Sequence, residues 1–256
     1  MRSANDENMG EISATKGRIH SIYTGGMVDG PGIRTVVFFA GCNLRCKYCH
    51  NPDTWSTQDG YVMTAAEVLT EVLKYKSYYK HSGGGVTLSG GDPLLQFNFL
   101  DAVLQTCREN NIHTVLDTSG CTSESTARKI LTNTDLVLLD IKSFNPEAYL
   151  NLTKQPLEKT LNFLKISAEM NVPVRVRYVL VPNYTDNQDE IEALANYLQD
   201  FKNIEKIEVL PFHKKGEYKW AELGLKYELA EVQPPSTEET ARVQACLARV
   251  KLPQNK

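Results

Sequence analysis

The chain has 256 residues, of which 41% are hydrophobic and 23% are charged, and its formal net charge at pH 7 is −3. This length and apolar content suffice for a substantial core, at the upper end of a single domain. The small net charge gives no reason to expect nucleic acid or a membrane surface as the main partner. Six cysteines, unevenly spaced, do not suit a disulfide scaffold, so we expect a reducing, cytoplasmic compartment.

The first 16 residues lack the apolar stretch of a signal peptide, and their acidic residues argue against a transit peptide. We predict a short disordered tail over residues 1–16 and a single domain over residues 17–256. No segment reaches the roughly 18 uncharged apolar residues that a membrane helix needs.

From about residue 18 onward, short β-rich runs alternate with helical patterns. The candidate strands are apolar runs rich in β-branched residues, which is typical of a buried parallel sheet. They cover residues 18–23, 34–40, 85–89, 113–118, 136–141, 174–181 and 206–212. The candidate helices cover residues 64–79, 96–110, 123–133, 157–170, 187–201 and 237–250, and Thr64 with Glu67 forms a capping-box pattern at the first of them. About six strand–helix repeats predict an α/β fold, either an open doubly wound sheet or, as we favour, a partial (β/α)6 barrel open on one side.

In such folds the working residues lie at the carboxyl ends of the strands and in the loops that follow them. Polar or glycine-rich segments accompany six successive predicted strands of this chain. They are GCNLRCKYCHN (41–51), SGGDP (89–93), DTSG (117–120), DIK (140–142), Arg177 within the sixth strand and PFH (211–213). We therefore predict the functional site at this edge of the sheet.

Cys42, Cys46 and Cys49 lie within eight residues of one loop. A structural zinc ion needs four nitrogen or sulfur ligands, usually in two separated pairs, but the adjacent His50 is poorly placed to complete such a shell and no second CxxC pair exists. Apolar burial of three thiols would not explain their crowding beside charged residues. The ligand rules favour a [4Fe–4S] cluster in which three cysteines bind three irons and the fourth iron has no protein ligand. A non-catalytic zinc or iron–sulfur module remains the alternative.

The segment CNLRCKYCH (42–50) resembles the C-x3-C-x2-C signature of the radical S-adenosylmethionine (SAM) enzymes. This resemblance implies a partial (β/α)6 barrel, a [4Fe–4S] cluster on the three cysteines, and SAM bound to the fourth iron through its amino and carboxylate groups. It also implies that an electron from the cluster, supplied by a flavodoxin- or ferredoxin-type protein, cleaves SAM to give a 5′-deoxyadenosyl radical. We accordingly expect sensitivity to oxygen.

The same resemblance implies the contacts to SAM. The SGGDP segment is similar to the family's Gly-Gly-Glu motif, with Asp92 one methylene shorter than the usual glutamate, although it is also typical of an ordinary strand-to-helix turn. The residues that the resemblance places against SAM are Tyr48, Cys49, His50, Gly90, Gly91, Asp92, Asp140, Ile141, Lys142, Arg177 and His213. Arg175 lies on the same strand face as Arg177, and half of a salt bridge explains it equally well.

Asp117 and Asp140 are carboxylates at the ends of apolar strands, where a buried acid needs a partner. They resemble positions in the family's activating enzymes at which two acids and a neighbouring threonine, here Thr118, surround a monovalent cation. The resemblance therefore implies a Na⁺ or K⁺ ion at Asp117, Thr118 and Asp140.

The segment DGPGIR (29–34), just before the second predicted strand, is also a Gly/Pro turn, but it resembles the signature of the glycyl-radical-enzyme activating proteins. That resemblance implies a partner protein whose glycine loses an α-hydrogen, with Asp29 receiving the backbone around this glycine. Residues 50–89 contain no cysteine, which indicates the compact type without additional clusters. We expect a monomer that acts on a glycyl radical enzyme; a small-molecule substrate or a different glycyl-radical partner is the alternative.

Overall fold

The computed structural model describes residues 10–252, and this part of the chain divides into two compact units. The first unit extends to Cys42 and includes Thr54–Thr118 and Ser125–Val137. The second unit comprises Asn43–Asp53, Ser119–Glu124 and the chain from Leu138 onward. Of the predicted N-terminal tail, residues 1–9 lie outside the described residues, and residues 10–14 are helical.

The strands are β1 (Lys16–Gly26), β2 (Arg34–Phe39), β3 (Tyr61–Thr64), β4 (Gly85–Gly90), β5 (His113–Thr118), β6 (Leu136–Asp140), β7 (Val174–Leu180) and β8 (Ile204–Pro211). They form one sheet in the order β3-β1-β2-β4-β5-β6-β7-β8. The pairs β2–β4, β4–β5 and β7–β8 are parallel, whereas β1 pairs antiparallel with β2 and β3. The sheet ends in two edge strands and is open, which confirms the predicted open partial barrel.

The helices are α1 (Ala65–Leu73), α2 (Lys76–Ser82), α3 (Phe97–Glu109), α4 (Glu124–Leu131), α5 (Pro146–Thr153), α6 (Leu157–Glu169), α7 (Gln188–Leu198), α8 (Glu217–Glu222) and α9 (Thr237–Leu247). Short 3-10 turns cover Pro52–Thr54 and Pro93–Gln96. The capping box at Thr64 is present, but the single helix predicted over 64–79 is wrong, because the backbone leaves helical geometry at Tyr75. No helix within residues 10–252 is long and apolar enough to cross a membrane.

In the first unit, β2 and β4 are buried along almost their whole length, as their continuous apolar sequences predict. Helix α3 packs against α1 and β5. It buries Leu100, Val103 and Leu104 completely, at the helical spacing of one face. Each such side chain contributes about 1.5–3 kcal/mol of hydrophobic stabilisation.

In the second unit, β7 alternates between buried and half-buried residues. Val174, Val176 and Tyr178 are buried in the core, so Arg175 and Arg177 lie on the opposite face of the strand. Helix α9 packs on α7 and β8. The alternation of β7 therefore determines the face on which the predicted site residue Arg177 is found.

Candidate functional site

The carboxyl ends of β4 and β5 in the first unit carry two hydrogen bonds that involve predicted site residues. The Ser89 hydroxyl donates to Asp117 Oδ2 over 2.7 Å, and the Thr118 hydroxyl donates to Asp92 Oδ1 over 2.8 Å. Because β4 and β5 are parallel neighbours, their carboxyl ends lie side by side. The structure thus brings Asp92, Asp117 and Thr118 together at one strand edge.

Gly90 and Gly91 lie where the end of β4 packs against backbone. A Cβ atom on Gly90 would meet Phe39 N at 2.3 Å, and one on Gly91 would meet Gly41 O at 2.1 Å. The Gly91 amide also donates to Phe39 O over 2.9 Å. Close approach between backbone segments therefore requires both glycines, whatever they contribute to a ligand.

Asp92 is buried, and its carboxylate contacts backbone as well as Thr118. It is the N-cap of the 3-10 turn Pro93–Gln96, with Oδ1 accepting a hydrogen bond from the Leu94 amide over 3.1 Å. Aspartate is among the best N-cap residues because its short side chain reaches the second or third amide of the turn. The shorter side chain at this position is thus explained by a local capping role.

Backbone hydrogen bonds fix both parts of the cysteine loop. In the first unit, the Cys42 amide donates to Trp55 O over 3.2 Å. In the second unit, the amides of Arg45 and Lys47 donate to the carbonyls of Thr153 and Leu152, over 2.7 and 3.0 Å. These are terminal carbonyls of α5, which have no partner within the helix. Cys46 is buried, and Cys42 and Cys49 are half-buried.

The segment from His213 to Trp220, which we call the 213–220 segment, contacts the loop residues that follow Cys46. Trp220 Nε1 donates to the Cys49 carbonyl over 2.9 Å, and the His213 ring stacks on His50 at 4.2 Å between centroids and 10° between planes. A Cβ on Gly216 would meet His50 Cα at 2.7 Å.

The same segment forms an ionic contact with the end of the loop. Lys219 Nζ lies 2.9 Å from Asp53 Oδ2 and 2.9 Å from Asn51 Oδ1. His213 was predicted from the sequence as a site residue, whereas Lys219 and Trp220 were not. The only signal that pointed to them was the polar GEYKW stretch shortly after a strand end.

Asp140, Lys142 and Arg177 form an ionic triad in the second unit. Lys142 Nζ lies 2.6 Å from Asp140 Oδ2, and Arg177 Nε lies 2.8 Å from Asp140 Oδ1. Burial alone would raise the pKa of Asp140, but the charges of Arg177 and Lys142 hold it below its usual range. Burial likewise opposes the charge of Lys142, but Asp140 raises the Lys142 pKa well above its usual value. All three residues therefore remain charged at neutral pH.

The other predicted residues of the second unit lie around this triad and the loop. The Ile141 amide donates to Arg177 O over 3.0 Å, and the Ile141 side chain is fully buried. Burial lowers the pKa of both His50 and His213, which keeps these imidazoles neutral at pH 7. Arg175 Nε lies 3.6 Å from Glu205 Oε2, so the salt-bridge explanation of Arg175 is confirmed.

Tyr48 has a buried hydroxyl group with no hydrogen-bond partner within the described residues. Its ring lies beneath Lys142 Nζ, at 5.7 Å from the ring centroid. Burial raises the Tyr48 pKa well above its usual value, so the hydroxyl keeps its proton. An unmatched buried hydroxyl costs about 1–3 kcal/mol, which a bound group with a suitable acceptor would relieve.

Asp29 lies in the loop between β1 and β2, in the first unit. Its carbonyl oxygen accepts a hydrogen bond from the Thr87 hydroxyl over 2.6 Å. The loop therefore folds back along β4 rather than extending away from the sheet.

Comparison with known proteins now defines the class of this site. The model of the radical SAM superfamily matches residues 36–198, and the chain belongs to this superfamily of enzymes. Over 230 residues the chain is 44% identical to the pyruvate formate-lyase-activating enzyme of Staphylococcus aureus. The aligned region covers 87% of this chain and 92% of that protein.

Two solved structures extend the comparison. A domain of a pyruvate-formate lyase-activating enzyme from Bacteroides vulgatus is 27% identical, with a TM-score of 0.56, over 67% of this chain and 98% of that one. A radical SAM methyltransferase from Sphaerobacter thermophilus is 15% identical, with a TM-score of 0.64, over 99% of this chain and 80% of that one. The second likeness concerns the fold alone.

The cofactors of this superfamily are SAM and a [4Fe–4S] cluster, and the donor set of the chain fits them. Three thiols on one loop provide one ligand for each of three irons. Across residues 10–252, no three His, Cys, Asp or Glu side chains converge as they would around a single ion. Each cysteine of a cluster binds a different iron, so the three sulfurs lie farther apart than the ligands around a single zinc ion. The unmatched hydroxyl of Tyr48, one residue before Cys49, is further evidence of fit.

Proposed function

We propose that this chain activates pyruvate formate-lyase by removing a hydrogen atom from a glycine of that enzyme, which leaves a glycyl radical. The observation that carries the proposal is the 44% identity to a pyruvate formate-lyase-activating enzyme over 87% of the chain. The DGPGIR segment and the three-cysteine loop support it from the sequence.

The cluster is assigned to Cys42, Cys46 and Cys49. When bound, it supplies the electron that cleaves SAM to methionine and the 5′-deoxyadenosyl radical, which takes the glycine hydrogen. The chain contributes the fixed position of the loop. Trp220 and Lys219 support this assignment, because they tie the backbone of Cys49 and the side chain of Asp53 to the 213–220 segment.

SAM is assigned to the residues that the sequence resemblance named: Tyr48, Cys49, His50, Gly90, Gly91, Asp92, Asp140, Ile141, Lys142, Arg177 and His213. Lys142 has three ammonium protons. Asp140 holds this ammonium group in place, which orients it to bind a ligand carboxylate. Tyr48 offers its unmatched hydroxyl as a donor. Ile141 is left with an apolar role, since its amide already binds Arg177 O.

A monovalent cation, Na⁺ or K⁺, is assigned to Asp117, Thr118 and Asp140. Because Lys142 and Arg177 already offset the charge of Asp140, Asp117 is the carboxylate that supplies negative charge to such an ion. The test is the rate of SAM cleavage in K⁺, in Na⁺ and in a bulky organic cation at equal ionic strength. Equal rates of SAM cleavage with all three cations would show that no specific monovalent cation is bound at this site.

The protein partners are pyruvate formate-lyase, whose glycine backbone is received by Asp29, and a flavodoxin- or ferredoxin-type reductant. The chain acts as a monomer. Reduction by each candidate reductant, followed by the loss of cluster absorbance, identifies the donor.

The decisive experiment combines anaerobically reconstituted protein, a reductant, SAM and pyruvate formate-lyase, with electron paramagnetic resonance as the readout. We expect a glycyl radical doublet that disappears in Cys46→Ala. The matched control is Cys107→Ala, because burial raises the pKa of the Cys107 thiol to about 12 and keeps it inert.

Other outcomes point to the remaining candidates. Deoxyadenosine without a doublet would mean that the substrate is a different glycyl radical enzyme or a small molecule. An intact, reduced cluster that cleaves no SAM would mean a non-catalytic iron–sulfur module, and zinc in place of iron would mean a structural metal site.

A further inference from the structure

In the second unit, a carboxylate from helix α7 binds the segment that follows strand β6. Glu190 Oε1 accepts a hydrogen bond from the Ser143 hydroxyl over 2.6 Å and another from the Phe144 amide over 2.7 Å. Ser143 is fully buried. Both distances lie in the short range that is typical of hydrogen bonds to a charged group, which are stronger than those between neutral groups. Glu190 therefore holds the chain firmly at residues 143 and 144.

The segment that Glu190 binds comes directly after Lys142 of the ionic triad. Asp140 is the last residue of β6, whereas Arg177 lies in β7, the strand that precedes α7. The bond between Glu190 and Ser143 consequently joins the connection after β6 to the helix after β7, one residue beyond Lys142. The two strands that supply the triad are thus tied together again by a residue outside it.

The same segment begins helix α5. The Asn145 amide donates to the Ser143 hydroxyl oxygen over 3.2 Å. The Asn145 side chain caps α5, because its Oδ1 accepts from the amides of Glu147 and Ala148 over 3.0 Å each. The cap fixes the point at which the chain enters a helix. Glu190 therefore also fixes the start of α5, through Ser143.

The other end of α5 supports the cysteine loop. The terminal carbonyls of the helix accept from the amides of Arg45 and Lys47, as described above. Gln155, just beyond the helix, donates from Nε2 to the Asn43 carbonyl over 2.9 Å. Helix α5 has eight residues, which corresponds to a length of about 12 Å. One short, hydrogen-bonded element thus connects the segment after Lys142 to residues 43–47 of the loop.

Helix α5 and the loop before α7 line a polar cavity of about 710 Å³. Asn145 and Asn151 line it from the helix, Asn183 and Asp186 line it from the loop, and Glu190 lines it as well. Side chains that face a cavity lack packing partners on that side. The position of α5 on this side therefore depends more on hydrogen bonds, such as those of Glu190, than on packing.

We propose that Glu190 is a positioning residue for the SAM site. It holds Lys142 and, through α5, residues 43–47 of the cysteine loop in the geometry that binds SAM. Glu190 acts through Ser143 and Phe144 rather than by contact with the cofactor. This inference rests on the proposed function, which assigns SAM to Lys142 and the cluster to the loop. It adds a residue of α7 that the sequence resemblance does not name.

The test is the equilibrium binding of SAM to the anaerobically reconstituted protein. Glu190→Met removes both side-chain oxygens but keeps a side chain of similar length. It is expected to raise the Kd for SAM by about 10-fold or more, since a small displacement of a binding group is costly. Glu190→Gln keeps an acceptor oxygen for both hydrogen bonds and is expected to have a Kd close to that of the wild type. A role of the negative charge alone would instead give the two variants the same Kd.

Two controls separate positioning from a loss of stability. Glu192→Met makes the same substitution at an exposed residue of the same helix and should leave the Kd unchanged. Asn187→Ala removes the cap of α7, whose Oδ1 accepts from the Glu190 amide over 3.0 Å, and therefore lowers the stability of the helix. It keeps the bonds to Ser143 and Phe144, so its Kd should stay close to that of the wild type.

Hydrogen exchange of the protein without its cluster provides a readout that does not depend on the cofactor. Glu190→Met is expected to speed exchange at the Phe144 amide, which loses its acceptor. Exchange should also increase at the amides of Arg45 and Lys47, whose acceptors lie at the far end of α5. Glu190→Gln should restore slow exchange at all three amides.

Four results would overturn the inference. If the wild type binds SAM and Glu190→Met binds it equally tightly, Glu190 supports the fold alone and the proposed function stands. If Glu190→Gln weakens binding as much as Glu190→Met does, the charge of Glu190 matters rather than its hydrogen bonds. If Asn187→Ala weakens binding as much as Glu190→Met does, lower stability explains the effect. If the wild type binds no SAM, the inference and the proposed function fail together.

Discussion

In the first unit, Gly90 and Gly91 have no room for one added carbon atom, and Asp92 and Asp117 accept hydrogen bonds from neutral hydroxyl groups. In the second unit, Asp140 lies between two cations. The first set of site residues is held by backbone packing and neutral hydrogen bonds, the second by charge. The difference means that the first region is sensitive to added volume and the second to lost charge.

The largest expected effect concerns the charged region. Asp140→Asn leaves two cations without their shared anion, and removal of one partner of a buried ion pair costs about 3–5 kcal/mol. We expect a loss of unfolding free energy of about this size, measured by chemical denaturation. The matched control in the neutral region is Asp117→Asn, whose side-chain oxygen can still accept from the Ser89 hydroxyl, so it should cost no more than about 1 kcal/mol. Equal losses in the two variants would contradict the comparison.

The pH dependence sharpens the same contrast. The folded pKa of Asp140 is below its unfolded value, so its stabilisation is present above a pH of about 4 and is lost as the pH falls through the folded pKa. The folded pKa of Lys142 is raised, so its contribution is present below a pH of about 10.4 and is lost as the pH rises through the folded pKa. The difference in unfolding free energy between the wild type and Asp140→Asn should therefore shrink below a pH of about 4. A difference that grows on acidification would contradict the ionic account.

The next effect concerns volume in the neutral region. Gly91→Ala places a Cβ at 2.1 Å from Gly41 O, and backbone cannot easily give way, so we expect a loss of about 3 kcal/mol, near the top of the usual range for overpacking. Gly83→Ala is the control. It meets nothing within 4 Å but has a φ of 69°, and should cost only about 1–2 kcal/mol for the left-handed conformation. Thermal or chemical unfolding of both variants shows which of the two loses more stability.

A smaller effect is expected where the 213–220 segment meets the cysteine loop. Trp220→Phe removes the hydrogen bond to the Cys49 carbonyl but keeps an aromatic ring beside Tyr227, and should cost about 1 kcal/mol. Hydrogen exchange should increase within residues 43–53. Unchanged exchange there, with a general loss of stability, would show that Trp220 does not hold the loop.

The smallest change in stability is expected for Asp92→Asn. Asparagine caps a turn as well as aspartate does, and its side-chain oxygen still accepts from Thr118, so the unfolding free energy should change by less than about 0.5 kcal/mol. Binding of SAM to the reconstituted protein should nevertheless weaken, because the proposed SAM site loses a negative charge. Unchanged binding would restrict Asp92 to its capping role.

Much of the fold follows from local sequence. The apolar runs predicted the strands from β4 to β7 to within one residue, because short apolar runs rich in β-branched residues have a clear pattern. Strand β3 and helices α5 and α8 were missed, since short elements with exposed faces carry little periodicity. The break at Tyr75 was missed because the apolar spacing continues across it.

The site could be predicted only in part, for a related reason. Strand ends indicated which polar residues matter, and the structure confirms that Asp140, Lys142 and Arg177 lie together. The partners supplied by distant chain segments were not predictable. Trp220 is 171 residues from Cys49, and Glu190 is 47 residues from Ser143, so no local pattern reveals either contact.

The most direct measurement follows the hydrogen atom itself. Pyruvate formate-lyase containing α-deuterated glycine is incubated with the reduced, reconstituted protein and SAM, and the deoxyadenosine is analysed by mass spectrometry while the glycyl radical is quantified. The account predicts that deoxyadenosine gains a single deuterium and that its amount matches that of the radical. Deoxyadenosine without deuterium, or a radical that forms without it, would contradict the claim that this chain activates pyruvate formate-lyase.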